Sequence, residues 1–355
     1  MKTKLVYVLT SSPEKNFIEQ ALLSIYTAKY YNQDACIILI VDDLTNNLFE
    51  GQRAEILQYI SEKKVVKLDE GLPMPERSRW LKTNIREQIE GDFLYIDCDT
   101  IITGTLSQID ECTFEMAAVL DSNIPINQFH KSSYDYVSHN AQLIGWDITL
   151  EEHYFNSGVF LCKDTELTQL FFKKWHSHWL KGLEKGLGID QPSFAMANIE
   201  TGHLIQRLDN SWNCIMYTYP EFDKDAKILH FSSYKNMSYM FGKEFLEKVQ
   251  TLGIQNDFVQ FTIFHPYHTY LPFNCRIMTF GIADYLMMLR DIYKTSRLLS
   301  KYLNNTFDPY LPDTGIYIQV RKLFEKRLFF FGALLITLYK FYEVKKFNWR
   351  RKKVI

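Results

Sequence analysis

The chain opens on a short apolar run, residues 5–9 (LVYVL), which stops at the turn Thr10-Ser11-Ser12-Pro13. A run this short, rich in β-branched and aromatic residues, predicts a buried strand. From about residue 14 to 31, Phe17, Ala21, Leu22, Ile25 and Ala28 recur at helical spacing, which predicts a helix. Residues 37–41 (IILIV) predict a second buried strand, ending in Asp42-Asp43. A further helix and a short strand at 65–66 follow, and residues 77–82 (RSRWLK) begin the helix that leads to a strand at 93–96 (FLYI). Strands that alternate with helices in this way predict an α/β fold built on a Rossmann-like, mostly parallel sheet. Residues 116–120 (MAAVL) predict one more strand, ending at Asp121.

Periodicity fades over residues 122–152, where Asn, His, Ser and Tyr are mixed, and an irregular segment able to shape a pocket is expected there. A helix carrying Leu167, Leu170, Phe171 and Trp175 follows, then a Gly-rich stretch at 181–188. Asp190-Gln191-Pro192 comes next, with Pro192 suited to the first turn of a helix over 193–198 and Asp190 or Gln191 to its N-cap. Beyond about residue 250 the alternation stops, and an aromatic, helical segment is broken by Pro266, Pro272, Pro309 and Pro312. The expected organisation is therefore a catalytic domain over 1–250 and a helical extension over 251–355.

The candidate chemistry sits where the 93–96 strand ends, in Asp97-Cys98-Asp99. Residues two apart in an extended chain point to one side, so Asp97 and Asp99 project together and Cys98 faces away. Paired carboxylates at a strand's C-terminal edge are costly unless a cation or hydrogen-bond donors compensate them. Ligands of open α/β sheets bind at that edge. A hard divalent cation shared with a substrate diphosphate suits the arrangement, and two solvated turn carboxylates are the alternative reading.

Tyr95-Ile96-Asp97-Cys98-Asp99-Thr100 resembles the metal-binding D-x-D strand of GT-A nucleotide-sugar glycosyltransferases, and most closely the retaining glycogenin and bacterial galactosyltransferase-like family. Three further segments follow in that family's order: Phe155-Asn156-Ser157-Gly158, Asp190-Gln191, and Ile228-Leu229-His230 with Lys235. The resemblance implies a GT-A domain with Asp97, Asp99 and His230 holding Mn²⁺ or Mg²⁺. It also implies that Asn156, Ser157 and Gly158 meet the donor sugar, that Asp190 and Gln191 face its anomeric carbon, and that Lys235 contacts the diphosphate. Thr10, Ser11 and Asp42 would hold the nucleoside, and Arg79 would lie near the diphosphate. Each of these has an ordinary alternative, such as a helix cap, a turn or a solvated helix face. Ser233 stands where the family has Gly, and no Pro-Trp follows Lys235.

Composition narrows the classes. An apolar fraction of 46% and a charged fraction of 23% are those of a folded globular chain. No G-x-G-x-x-G follows the first strand, which disfavours a nicotinamide dehydrogenase. The six cysteines are scattered without CxxC spacing, as expected of reduced thiols in the cytosol, and residues 1–4 (MKTK) carry no signal-peptide pattern. The net charge of −2 conceals an asymmetry: residues 321–355 hold eleven Lys/Arg against two Asp/Glu, a net of +9, so the preceding residues carry −11. An acidic body argues against a nucleic-acid partner. The twelve uncharged residues 328–339 (LFFFGALLITLY) fall short of the ~20 that span a bilayer. With the basic, aromatic end that follows, they predict a peripheral segment on an anionic membrane surface, at the cytoplasmic face.

The resemblance, which these features do not contradict, implies a metal-dependent hexosyltransferase. Its donor would be a nucleotide sugar, UDP-linked by preference, and its acceptor a saccharide or lipid-linked saccharide in surface polysaccharide or glycolipid synthesis. A sugar-1-phosphate nucleotidylyltransferase and a non-enzymatic membrane-surface binding protein are the alternatives.

Overall fold

The computed structural model describes residues 1–264, apart from 70, 130, 216–225 and 232–240, together with Phe331. The expected C-terminal extension thus lies almost wholly outside the described residues, as do Ser233 and Lys235. Among the described residues no helix is long and apolar enough to cross a membrane.

The first half of the chain alternates strand and helix as its apolar pattern predicts. It runs β1 (Lys4–Leu9), α1 (Phe17–Tyr31), β2 (Ile37–Asp42), the one-turn α2 (Asp43–Asn46), β3 (Glu62–Val66), α3 (Met74–Thr83), the one-turn α4 (Ile85–Gln88), β4 (Phe93–Ile96), β5 (Thr100–Ile102) and β6 (Met116–Leu120). A 3-10 helix at Gly51–Gln58 stands where a further helix is expected between β2 and β3. Then come α5 (Lys131–Leu143), β7 (Phe155–Cys162), α6 (Glu166–Glu184), α7 (Gln191–Glu200), β8 (Ile205–Arg207), β9 (Cys214–Ile215), β10 (Ile228–His230), α8 (Lys243–Leu252) and α9 (Asp257–Phe264).

Seven strands form the main sheet in the order β3-β2-β1-β4-β7-β6-β8. All neighbours are parallel except those of β7, which runs antiparallel to both β4 and β6. This mixed, mostly parallel α/β sheet is the GT-A type that the resemblance implies. Successive residues of β1 feed opposite layers: Leu5, Tyr7 and Leu9 join one apolar core, Val6 and Val8 the other. β4 divides likewise, with Leu94 and Ile96 on one side and Phe93 and Tyr95 on the other. Burial on both faces is what an unbroken apolar strand requires.

Two differences from the sequence reading matter. Residues 122–152 are not irregular throughout, because α5 occupies 13 of them and builds a local core from Val137, Ala141, Trp146, Ile148 and Tyr154. Packing past residue 250 also continues without a break: Ile254, Val259 and Ile263 enter the same core as α1, so the folded body reaches at least Phe264.

Candidate active site

Antiparallel β7 is what brings distant motifs together. Its register against β4 pairs Val159 with Ile96, and the Asp97 N–H donates to the Gly158 carbonyl at 2.8 Å. Asn156-Ser157-Gly158 therefore lies inside a fully buried strand, not in a turn. Glycine in a strand interior marks a close approach, and here the approach is of side chains: a Cβ on Gly158 would collide with His230 Cε1 and stand 2.8 Å from Asp97 Oδ2.

A second, three-stranded sheet delivers the histidine. Past Asp99 the chain enters β5, which pairs antiparallel with β10 so that Thr100 lies opposite His230. The Phe231 N–H donates to the Asp99 carbonyl at 2.9 Å, locking that register. His230 Nε2 comes to 3.3 Å from Asp99 Oδ1 and 3.9 Å from Asp97 Oδ2. One ligand atom from each of Asp97, Asp99 and His230 lies within 4.8 Å of the others. Two carboxylates and an imidazole nitrogen form a donor set suited to a hard or borderline divalent ion such as Mn²⁺ or Mg²⁺. Cys98 faces away as expected, its Sγ donating to the Val8 carbonyl at 3.3 Å.

Beside this cluster sits a buried lysine that the sequence did not single out. Lys82 is buried, and its Nζ lies 3.4 Å from Asp97 Oδ1 and 3.3 Å from Asp190 Oδ2. The Tyr95 hydroxyl donates to the same Asp97 oxygen at 2.5 Å. Burial, and then the Asp97 charge, raise the Tyr95 pKa well above that of a free phenol, so it stays a donor. Arg79 stands one helical turn before Lys82, on the same face of α3, with Nε 3.7 Å from Asp190 Oδ1. A lysine on a helix ordinarily reads as a solvated face. The signal that could have found Lys82 is its spacing of three from Arg79, ahead of a strand that ends in acids.

Asp190 is the residue before α7, but its side chain makes no cap bond. Its Oδ2 accepts instead from Ser157 Oγ at 3.0 Å. Burial alone would raise its pKa, yet Lys82, Arg79 and that hydroxyl together hold it below the ordinary carboxylate value. Position comes from α6, whose Trp175 donates through Nε1 to the Asp190 carbonyl at 3.0 Å. Trp175 is itself set among Phe160, Phe171 and Phe194. Gln191 Oε1 accepts from Asn156 Nδ2 at 3.4 Å, so Asn156, Ser157, Asp190 and Gln191 form one connected group.

The residues expected at the nucleoside form a separate group at the ends of β1 and β2. Thr10 Oγ1 donates to the Met74 carbonyl at 3.3 Å, and the Ser11 N–H to Thr45 Oγ1 at 2.8 Å. Asp42 is fully buried: Oδ1 accepts from the Thr45 N–H at 2.9 Å, capping α2, and Oδ2 pairs with Arg77 Nε at 2.5 Å. The structure therefore gives Asp42 the helix-capping role that its position after a strand allows. Because β1 lies between β2 and β4 and is parallel to both, this group and the Asp97–Asp99–His230 cluster share one edge of the sheet.

With the geometry of that edge in place, the chain can be compared with known proteins. Residues 91–236 match glycosyl transferase family 8. The match contains Asp97, Asp99, Asn156, Asp190, Gln191 and His230, and it ends before α8. Solved structures that the chain resembles include the galactosyltransferase LgtC in complex with donor and acceptor sugar analogs, at 13% identity and TM-score 0.48 over 70% of this chain and 96% of that one. Mouse xyloside xylosyltransferase 1 is similar at 13% identity and TM-score 0.43, over 65% and 98% of the two chains. The glycosyltransferase GlyE of Streptococcus pneumoniae is similar at 18% identity and TM-score 0.42, over 75% and 63%. No curated relative matches the chain.

Proposed function

We propose that this protein is a metal-dependent glycosyltransferase, moving a hexose from a nucleoside-diphosphate sugar, UDP-linked by preference, to a saccharide or lipid-linked acceptor. The observation that carries the reading is the convergence of Asp97, Asp99 and His230 within 4.8 Å, inside the stretch that matches a glycosyltransferase family. Mn²⁺ or Mg²⁺ bound there supplies a Lewis acid for the charge that develops on a departing diphosphate. Tyr95 and Lys82 hold Asp97 in place, and Asn213 holds His230 through Nδ1 at 2.9 Å. Lys82 and Arg79 keep Asp190 ionised beside Ser157, so a fixed anionic oxygen faces the donor sugar. Gln191 and Asn156 supply amide groups for its hydroxyls. Retention of anomeric configuration is the outcome that the family resemblance supports. The acidic body and basic end of the sequence support residence at the cytoplasmic face of a membrane, with a lipid-linked acceptor in surface polysaccharide or glycolipid synthesis. The part of the extension beyond residue 264 would serve that attachment, as an appendage to the catalytic body.

The test is a panel of nucleotide sugars incubated with the protein and Mn²⁺. Release of free nucleoside diphosphate, abolished by chelator, is expected. Release of pyrophosphate from a sugar-1-phosphate and a nucleoside triphosphate would replace this reading with nucleotidylyl transfer.

A further inference from the structure

A single backbone amide sets the polarity of a run of buried side chains that ends on His230. The Gly158 N–H donates to Asn156 Oδ1 at 2.9 Å. A backbone nitrogen can only donate, so the side-chain atom facing it is the oxygen. Asn156 Nδ2 then faces Asp121 Oδ1 at 2.9 Å and Gln191 Oε1 at 3.4 Å, two acceptors. Asn213 approaches the same Asn156 oxygen at 2.9 Å and must present its Nδ2 there. Its Oδ1 is what remains for His230 Nδ1, 2.9 Å away. An amide oxygen only accepts, so the imidazole donates from Nδ1, and the neutral ring keeps its lone pair on Nε2. That lone pair points at Asp99 Oδ1 and Asp97 Oδ2.

Asn213 is itself held without slack. It is fully buried, and its backbone carbonyl accepts from Asn123 Nδ2 at 2.8 Å. Asn123 Oδ1 accepts in turn from the Ile215 N–H at 2.9 Å, so Asn123 clamps both sides of Cys214. Asn123 and its neighbour Ser122 adopt φ of 60° and 58°, in the left-handed region. Non-glycine residues there carry strain that the surrounding structure must impose, and such residues cluster at functional sites.

We propose, resting on the metal reading above, that Asn213 is a positioning residue. It fixes His230 in the Nδ1–H tautomer and so aims Nε2 at the cation site. Partners of a metal-binding histidine's second nitrogen typically control affinity 10–100-fold.

Two measurements on the full-length protein test this. ¹⁵N-histidine NMR at alkaline pH, without metal, reads the His230 tautomer directly. Mn²⁺ titration followed by electron paramagnetic resonance reads affinity in the wild type, Asn213→Leu, Asn213→Asp and His230→Ala. Wild-type His230 is expected as the Nδ1–H form. Asn213→Asp, which loses the donor toward Asn156 but still offers an acceptor to Nδ1, should keep that tautomer, and Asn213→Leu should lose it and bind Mn²⁺ about 10–100-fold more weakly. A wild-type Nε2–H tautomer overturns the inference even if the leucine variant does not fold. Mn²⁺ binding that needs His230 but not Asn213 overturns it while leaving the metal reading intact. Wild-type protein that binds no Mn²⁺ overturns both.

Discussion

Gly158 leaves no room for a methyl group against His230. A Cβ there would collide with the imidazole Cε1 and stand 2.8 Å from Asp97 Oδ2 and 2.9 Å from Asn156 Oδ1. Three groups of the candidate site thus press on one α-carbon: Asn156 from β7 itself, Asp97 from the end of β4, and His230 from the smaller sheet. Gly158→Ala is expected to displace His230 or Asp97, and to weaken Mn²⁺ binding by at least ~10-fold. Overpacking should also lower stability by about 1–3 kcal/mol. Mn²⁺ titration and thermal unfolding check the two effects, and unchanged affinity would show that the cation does not sit against Gly158.

Asp97 and Asp99 differ in exposure but belong to one trio. Replacing either by Asn keeps the volume and removes an anionic oxygen. Donor turnover is expected to fall by at least ~10²-fold, the scale lost with one strong transition-state electrostatic contact. Steady-state hydrolysis with and without chelator reads this. An Asp99→Asn enzyme that keeps full rate in chelator would rule out the metal.

Asp190 gives a pH dependence with a definite sign. Its pKa in the folded chain is held below the ordinary 3.8, against the effect of burial, by Lys82, Arg79 and Ser157. A depressed pKa means stability that is fully present above the unfolded value and lost as pH falls through the folded one. Asp190→Asn also leaves buried Lys82 without one of its two carboxylates, at a cost of about 1–3 kcal/mol near neutral pH. The gap between wild type and variant in urea unfolding should be flat above the unfolded pKa and should narrow below it. A gap that persists undiminished into acid would mean that the carboxylate's charge is not its source.

Fold and site were legible in the sequence to different depths, for physical reasons. β1, β2, β4 and β6 announced themselves because strands buried on both faces need unbroken apolar runs. The D-x-D pair was legible because two carboxylates directly after a buried apolar run stand out, although residues 97–99 form a bend between β4 and β5 and not an extended strand. α5 was not: Lys131–Leu143 is rich in Ser, Tyr and Asn, and only Val137 and Ala141 mark a buried face. The strand character of Asn156-Ser157-Gly158 was hidden by three residues that favour turns when taken alone. Lys82 and Asn213 were missed because each acts through partners far along the chain, Asp190 for one and His230 for the other. No local pattern records such pairings. They arise from the antiparallel insertion of β7 and from the small sheet that carries His230.

The last prediction concerns residues 328–355, which the sequence marks as an apolar run followed by Lys345, Lys346, Arg350, Arg351, Lys352 and Lys353. Each basic residue near an anionic leaflet contributes about 1 kcal/mol, and each buried Leu or Phe about 1.5–3 kcal/mol. Either contribution alone gives weak, reversible attachment, and the two together suffice for a stable one. The electrostatic part is screened by salt, because the Debye length shortens to roughly 3 Å at 1 M. Full-length protein is therefore expected to co-sediment with anionic vesicles at low salt and to be partly released at high salt. Neutral vesicles should retain less of it. Replacing the four residues Arg350 to Lys353 by Gln should cut binding to anionic vesicles while leaving nucleotide-sugar hydrolysis unchanged, since that chemistry is placed at the sheet edge. A supernatant that holds all the protein under every condition would remove the membrane surface, and with it the argument for a lipid-linked acceptor.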